Sequence, residues 1–275
     1  MWVKVILALV FCLMIAGAFH FARPPQSEET NASTQSQRTL RLLTWNIGYA
    51  ELEDDTRAHT KDFPAIAEVI LKVDPDAVAL QELTGKAQLD ALLKLLKGRY
   101  RGEVAEQGQG DRFEAVLVKD KQAAFTPVAI GTRYALAASF RPRAGGSQVI
   151  LLSAHADAFN AARRRRYTEG LMDWAQMQST EVFVAGDFNF ELKAANETNL
   201  YTDNVKHDSE SYSHILRSFH DLGREAGDTA INDRRIDYIF GSARVERAEV
   251  LRDAAVGRMD HWPLLVEASL ALHED

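Results

Sequence analysis

The chain alternates between two hydrophobic rhythms. Short continuous apolar runs, Leu40 to Leu43, Ala77 to Leu80, Val149 to Leu152 and Val182 to Ala185, have the length and composition of strands buried on both faces. Between the first two runs, Phe63, Ile66, Ala67, Ile70 and Leu71 fall on one face at helical spacing, with Asp62 placed to cap that helix. Asp74-Pro75-Asp76 turns the chain into the second run, and Leu89, Leu92, Leu93 and Leu96 predict a further helix with Thr84 as its cap. The middle reads as strands at 101–105, 114–119, 125–130, 134–140 and 148–154, with Arg143 to Ser147 as a hairpin loop. A helix is predicted near 161–178, then the strand ending at Asp187, an irregular polar stretch from Glu191 to about Tyr212, and strands at 236–242, 245–251 and 262–270. Strand-rich and helical parts alternate without any solenoid repeat, which predicts two packed sheets with helices outside.

The first 39 residues follow neither rhythm. Val5 to Phe19 is unbroken apolar, Gly or Ala, preceded by Lys4 and closed by the small triplet Ala16-Gly17-Ala18, so residues 1–22 read as a signal peptide or an N-terminal membrane anchor. Residues 23–39, from Arg23-Pro24-Pro25 onward, form a flexible linker without apolar period, and 40–272 form one catalytic domain. The expected location is extracytoplasmic, secreted or anchored. The only cysteine, Cys12, lies in the apolar segment, so the domain has neither thiolate zinc ligands nor a cysteine nucleophile. At 275 residues and 46% hydrophobic content the chain can bury a sizeable core. Its net charge of -7 gives no general footprint for nucleic acid, although bound cations can invert the field locally.

Candidate chemistry sits where the apolar runs break off. Asn46 follows the first run, Glu82 the second, His155 the third, and Asp187 with Asn189 the fourth; Asp237 and the pair Asp260-His261 flank the last strands. Four carboxylates, two amides and two imidazoles can thereby share one rim. Taken alone, any one of these acids reads as a hydrated loop residue, and only the joint pattern points to a hydrolytic centre. Glu82 and Asp260 supply the hard oxygens that magnesium favours. Gly186-Asp187-Phe188-Asn189 has two readings: period-two alternation sends Asp187 and Asn189 together towards one water or phosphate oxygen, or an Asx turn closes the strand. Asp237 is a candidate to fix the tautomer of His261, whereas His155 has no such evident partner in the sequence.

The runs TWNIGYA, QEL, LLSAHADAF, VAGDFNF, RRIDYIF and MDHWPLLV, in this order and spacing, resemble the endonuclease/exonuclease/phosphatase superfamily with its deoxyribonuclease-I-like fold, over about residues 40 to 270. The resemblance implies an α/β (α+β) four-layer sandwich, two mixed sheets face to face between outer helices, and a metal-dependent phosphoesterase. It implies Asn46, Glu82 and Asp260 around the metal, magnesium with manganese as an alternative. His155 then contacts the phosphate or leaving group, Asp187 and Asn189 position the attacking water, Asp237 orients His261, and His261 meets the phosphoryl oxygen. Two positions depart from the family pattern: Met259 stands where Ser is usual before Asp-His, and Ala156 where Leu follows the first histidine. Neither removes a reacting group.

The expected activity is in-line attack of water on a phosphodiester, with nucleic acid or a phospholipid head group as substrate, membrane contact through residues 1–22, and no obligate protein partner. A sphingomyelin-type phosphodiesterase and a non-catalytic binding scaffold are the alternatives. An exposed apolar collar near Trp45, Arg112-Phe113 and Phe188 to Asn196 favours lipid, and a basic groove favours nucleic acid. Arg163 to Arg166 splays around a helix and reads as solvated surface. The glycosylation-type triplets at Asn31 and Asn196 have meaning only in a eukaryotic secretory pathway.

Overall fold

The computed structural model describes residues 39–48, 62–107, 110–142, 146–196, 204–254, 256–257 and 259–270, all within one compact unit. The leader, the linker as far as Arg38, the middle of the predicted hairpin loop at 143–145 and the second triplet from Glu197 lie outside the described residues, and Thr39, assigned to the linker, opens the first strand. Among the described residues no helix is long and apolar enough to cross a membrane.

Twelve strands form two six-stranded mixed sheets. The first has the order β11-β12-β1-β2-β4-β3, from β1 (Thr39–Asn46), β2 (Ala77–Leu83), β3 (Arg101–Val104), β4 (Phe113–Val118), β11 (Arg244–Val250) and β12 (Leu264–Ser269). The second has the order β5-β6-β7-β8-β10-β9, from β5 (Ala124–Ile130), β6 (Arg133–Phe140), β7 (Val149–His155), β8 (Glu181–Asp187), β9 (His220–Asp221) and β10 (Asp237–Gly241). Each sheet has one parallel pair, β1 with β2 and β7 with β8, joined through the helices α1 (Phe63–Val73) and α3 (Ala161–Gln176). The other helices are α2 (Lys86–Leu95) and α4 (Val205–Ile215).

Period-two alternation explains the layering. Leu40 and Leu42 face the inter-sheet core with Val116, Val118, Leu151 and Phe183, while Leu43 and Trp45 face α1 and α2 in an outer core. A second outer core packs Leu152, Val184 and Phe240 against Tyr167, Leu171 and Ile215 of α3 and α4. Each fully buried Leu or Phe contributes roughly 1.5–3 kcal/mol of transfer free energy, so three such cores comfortably hold four layers.

Four local expectations are corrected. Asp62 occupies the N-cap position of α1 without a side-chain capping bond. The cap of α2 is Gly85, not Thr84, whose N–H instead donates to Gln88 Oε1 at 2.8 Å. The stretch expected to be irregular to Tyr212 contains α4, capped by Asn204, whose side chain accepts from His207 N at 3.1 Å. Its residues are mostly polar because its buried face is built from Asp208 and Ser211 as well as Ile215. Finally, the four arginines are not uniformly solvated, because Arg164 is fully buried.

Candidate functional site

Topology brings the polar residues to one rim. Asn46, His155 and Asp187 are the last residues of β1, β7 and β8, and Glu82 lies one residue before the end of β2. Strand β10 runs antiparallel to β8 with Asp237 opposite Asp187, and β12 runs antiparallel to β1 with Leu264 opposite Thr44, which places Asp260-His261 at the same end. The first sheet thus supplies Asn46 and Glu82, and the second supplies His155, Asp187 and Asp237.

Local backbone features aim these groups. The β2–β4 register slips between Leu80 and Leu83, and Glu82 adopts φ 66°, a left-handed conformation uncommon for a side-chain-bearing residue. Its carboxylate fills the space beside Gly48, where a Cβ would sit 2.0 Å from Glu82 Oε2. Gly186, at φ 145°, lets β8 approach β7 so closely that a Cβ would meet the Ala154 carbonyl oxygen at 1.9 Å. Beneath the rim, Gln81 Nε2 donates to Ser153 Oγ at 3.0 Å, and Ser153 Oγ donates to the Leu80 carbonyl at 3.1 Å, tying the sheets together. Trp45 Nε1 donates to the His261 carbonyl at 3.1 Å.

The side chains converge on Asn46. Its Nδ2 donates to Glu82 Oε1 at 3.1 Å and to Asp187 Oδ2 at 3.0 Å, while its Oδ1 accepts from Gly48 N at 2.9 Å. His155 Nε2 lies 3.8 Å from Glu82 Oε1 and 3.6 Å from Asp187 Oδ2, so the histidine without an evident partner in the sequence faces two acids. His261 Nδ1 pairs with Asp237 Oδ2 at 2.8 Å, and its Nε2 lies 3.7 Å from Asp187 Oδ2 and 4.0 Å from Asp260 Oδ1. Thr229 Oγ1 accepts from the N–H groups of Ile236 and Asp237 and fixes the start of β10. Asn189 is placed by an Asx turn rather than by strand alternation: its N–H donates to Asp187 Oδ1 at 2.8 Å at φ 51°, and its Nδ2 donates to the Ala156 carbonyl at 3.2 Å. The structure takes the turn reading of this motif, and the Asn189 amide faces the Ala156 carbonyl.

Electrostatics divides the acids. Burial raises the Asp187 carboxyl, with Asp237 adding to the rise and His261 and His155 opposing it. Burial likewise raises Asp260. Burial works against the charge on Glu82 too, but His155, the Arg112 guanidinium and the Asn46 amide overcome it and hold that carboxyl below its ordinary value. Burial also opposes the charged form of His261, yet the adjoining Asp237 carboxylate, with Asp187 and Asp260, drives its pKa well above the ordinary histidine range. The result is an imidazolium poised among carboxylates.

The donor set suits a hard divalent cation. Glu82 and Asp187 are bridged by one amide, and the pocket left by Gly48 keeps the Glu82 carboxylate at the rim; oxygen donors of this kind match magnesium or manganese. Asp187, Asp237 and His261 also place one ligand atom each within 4.8 Å of one another, a second group able to hold a cation. Asp237 Oδ1 is buried with no hydrogen-bond partner among the described residues. Arg112, Thr229 and the Gln81–Ser153 bridge have no assigned role in the sequence analysis. Arg112 and Thr229 lie outside the apolar-run boundaries that drew attention to the others, and Gln81 and Ser153 sit at those boundaries without an ionisable group.

Comparison with protein-family profiles matches residues 43–263 to the Endonuclease/Exonuclease/phosphatase family. Among solved structures, an endonuclease/exonuclease/phosphatase from Bacteroides vulgatus superposes with a TM-score of 0.65 at 18% identity, covering 85% of this chain and 99% of that one. The human Nocturnin catalytic domain with bound sulfate anion gives 0.62 at 20% identity, covering 86% and 96%. Humanized D. rerio TDP2 gives 0.64 at 13% identity, covering 85% and 100%. No curated protein sequence matches significantly.

Proposed function

Because the chain belongs to the endonuclease/exonuclease/phosphatase family of phosphoric ester hydrolases, we propose that it is an exported, magnesium-dependent phosphodiesterase acting on nucleic acid. The observation that carries the reading is the convergence of Asn46, Glu82, Asp187 and the His261–Asp237 pair at one rim. Glu82, with Asn46 and Asp260 beside it, would hold the cation, which when bound polarises a phosphoryl oxygen and offsets developing charge. Asp187 orients the attacking water and accepts its proton, in a position locked by the Asn46 amide and the Asn189 N–H. His261, kept protonated by Asp237, donates to the phosphoryl oxygen as negative charge grows there. Asn189 steadies the turn that carries Asp187, and His155, 3.6 Å from Asp187, would assist the leaving oxygen.

The rim favours a nucleic acid over a bilayer lipid. Trp45, Phe188 and Phe190 are fully buried, and Phe113 is partly buried, so these positions offer no apolar collar. The segment between His155 and α3 instead exposes a single aromatic ring, Phe159 at 55%, and Asp157 in the same segment pairs with Arg133 and Arg163 at 3.5 and 4.0 Å. One exposed ring in a segment that also gathers two guanidinium groups suits base stacking and phosphate contact. Export is supported by the apolar run from Val5 to Phe19 behind Lys4, and a reporter fused after residue 39 should be active only outside the cytoplasm. The activity is tested by assaying purified protein on DNA, RNA, a generic phosphodiester and sphingomyelin with magnesium, with EDTA and as Asp187→Ala. Turnover that ignores both the chelator and the substitution sinks the mechanism, and sphingomyelin cleavage alone would move the substrate to lipid.

A further inference from the structure

Glu82 already holds a cation of the protein's own making. Arg112, immediately before β4, pairs through its guanidinium with Glu82 Oε2, while Oε1 accepts from Asn46. The pairing is built into the sheet: Leu83, the last residue of β2, lies opposite Phe113, the first of the antiparallel β4, just past the register slip, so Glu82 near the end of one strand and Arg112 just ahead of the other meet at the same rim. Glu82's side chain is 14% exposed and that of Arg112 23%, so the pair is largely shielded from water but open on one side. Both carboxylate oxygens are therefore satisfied by protein groups, and a divalent cation taken up at Glu82 must displace the guanidinium or sit beside a like charge. Arg112, whose side chain keeps 23% of its surface in contact with solvent, has the means to leave.

We infer that Arg112 competes with the divalent cation for Glu82 and, once displaced, turns to a phosphate oxygen of the substrate. The inference rests on the proposed reading of this rim as a cation-dependent phosphoesterase centre. The planar guanidinium fork matches two phosphate oxygens, so the group that weakens cation uptake in the resting protein strengthens substrate binding in the loaded one. Cation and anionic substrate then bind with positive coupling, since each relieves the site of the charge that the other leaves unpaired.

The test is calorimetric titration of magnesium, and separately manganese, into the wild-type protein, Arg112→Ala and Arg112→Lys without substrate, followed by kinetics at saturating metal. Arg112→Ala should bind the cation about tenfold more tightly, the scale of one charge-assisted hydrogen bond no longer displaced. The same variant should raise KM for a phosphodiester about tenfold with a smaller change in kcat, and Arg112→Lys, which keeps the charge, should lie nearer wild type in both. Tighter cation binding is a gain that a misfolded variant does not show. Unchanged or weaker cation affinity in a folded Arg112→Ala overturns the inference while leaving the cation-dependent reading intact. If none of the proteins binds either metal, that reading falls and takes the inference with it.

Discussion

Two buried clusters of opposite charge lie in this protein, and they are finished to different degrees. Away from the rim, Arg164 on α3 is fully buried and donates through Nε and Nη2 to both oxygens of Asp208 on α4, at 2.9 and 2.8 Å, and through Nη1 to the Asp157 carbonyl. Asp208 also accepts from Glu191 N at 3.0 Å, and Glu191 pairs with Arg234 at 3.1 Å. One cation meets one anion in a bidentate fork, and backbone groups complete it, a Glu191 N–H donating to the carboxylate and the Asp157 carbonyl accepting from the guanidinium. At the rim, Asp187, Asp237 and Asp260 crowd the His261 imidazole, with His155 shared between Asp187 and Glu82, and one buried oxygen of Asp237 has no hydrogen-bond partner among the described residues. The same residue types build a closed joint in one place and an under-neutralised one in the other. A saturated pair holds structure; a cluster with surplus negative charge retains the capacity to bind and to move protons.

That contrast can be broken from either side. The largest effect on turnover is expected at the rim: Asp187→Ala or His261→Ala should lower kcat by about 1000-fold or more, roughly 4 kcal/mol of barrier, in steady-state assays. Urea denaturation should show little loss of stability in Asp187→Asn, since it removes a carboxylate that burial already disfavours. The opposite signature is expected at the closed joint, where Arg164→Ala strands Asp208 and should cost about 3–5 kcal/mol of stability by the same measurement. Replacing both partners, Arg164→Met with Asp208→Leu, should recover most of it.

Glu114 sharpens the comparison as a buried acid in neither cluster. Burial pushes its carboxyl up to about 8, only partly offset by its own N–H and by Arg133. A carboxyl raised on folding contributes stability that is complete below its unfolded value and lost as pH climbs through about 8. Thermal melts of Glu114→Gln should therefore be flatter with pH over that window, and between pH 4 and pH 9 the variant should gain about 5 kcal/mol on wild type. Smaller is the effect of Asp237→Asn, which keeps the shape of the His261 contact but removes the charge. It should reduce kcat by about 100-fold, near 2.7 kcal/mol, and shift the alkaline limb of the pH–rate profile to lower pH, because His261 then loses its proton more easily.

The sequence showed most of the strands because their apolar runs are continuous, and it located the rim because Asn46, Glu82, His155 and Asp187 come where those runs stop. It could not show α4, whose inward face is partly Asp208 and Ser211, since a helix packed through polar groups lacks an apolar stripe. Nor could it single out Arg164 among four identical neighbours: its partner is 44 positions away, and only the packing of two helices chooses it. The role of Asn189 was half visible, because the sequence allowed both strand alternation and an Asx turn, and the chain leaves the strand at Asp187 and takes the turn. Arg112 escaped because its meaning depends on a register slip in the neighbouring strand.

The position of β12 has a consequence for how the molecule is made. It lies between β11 and β1, and the turn just before it delivers Asp260 and His261. A nascent polypeptide that has emerged only as far as β11 has the other rim residues but neither of these, and its first strand still waits for a neighbour. The site should therefore be completed late in synthesis, when the strand that joins β11 to β1 also installs the imidazole.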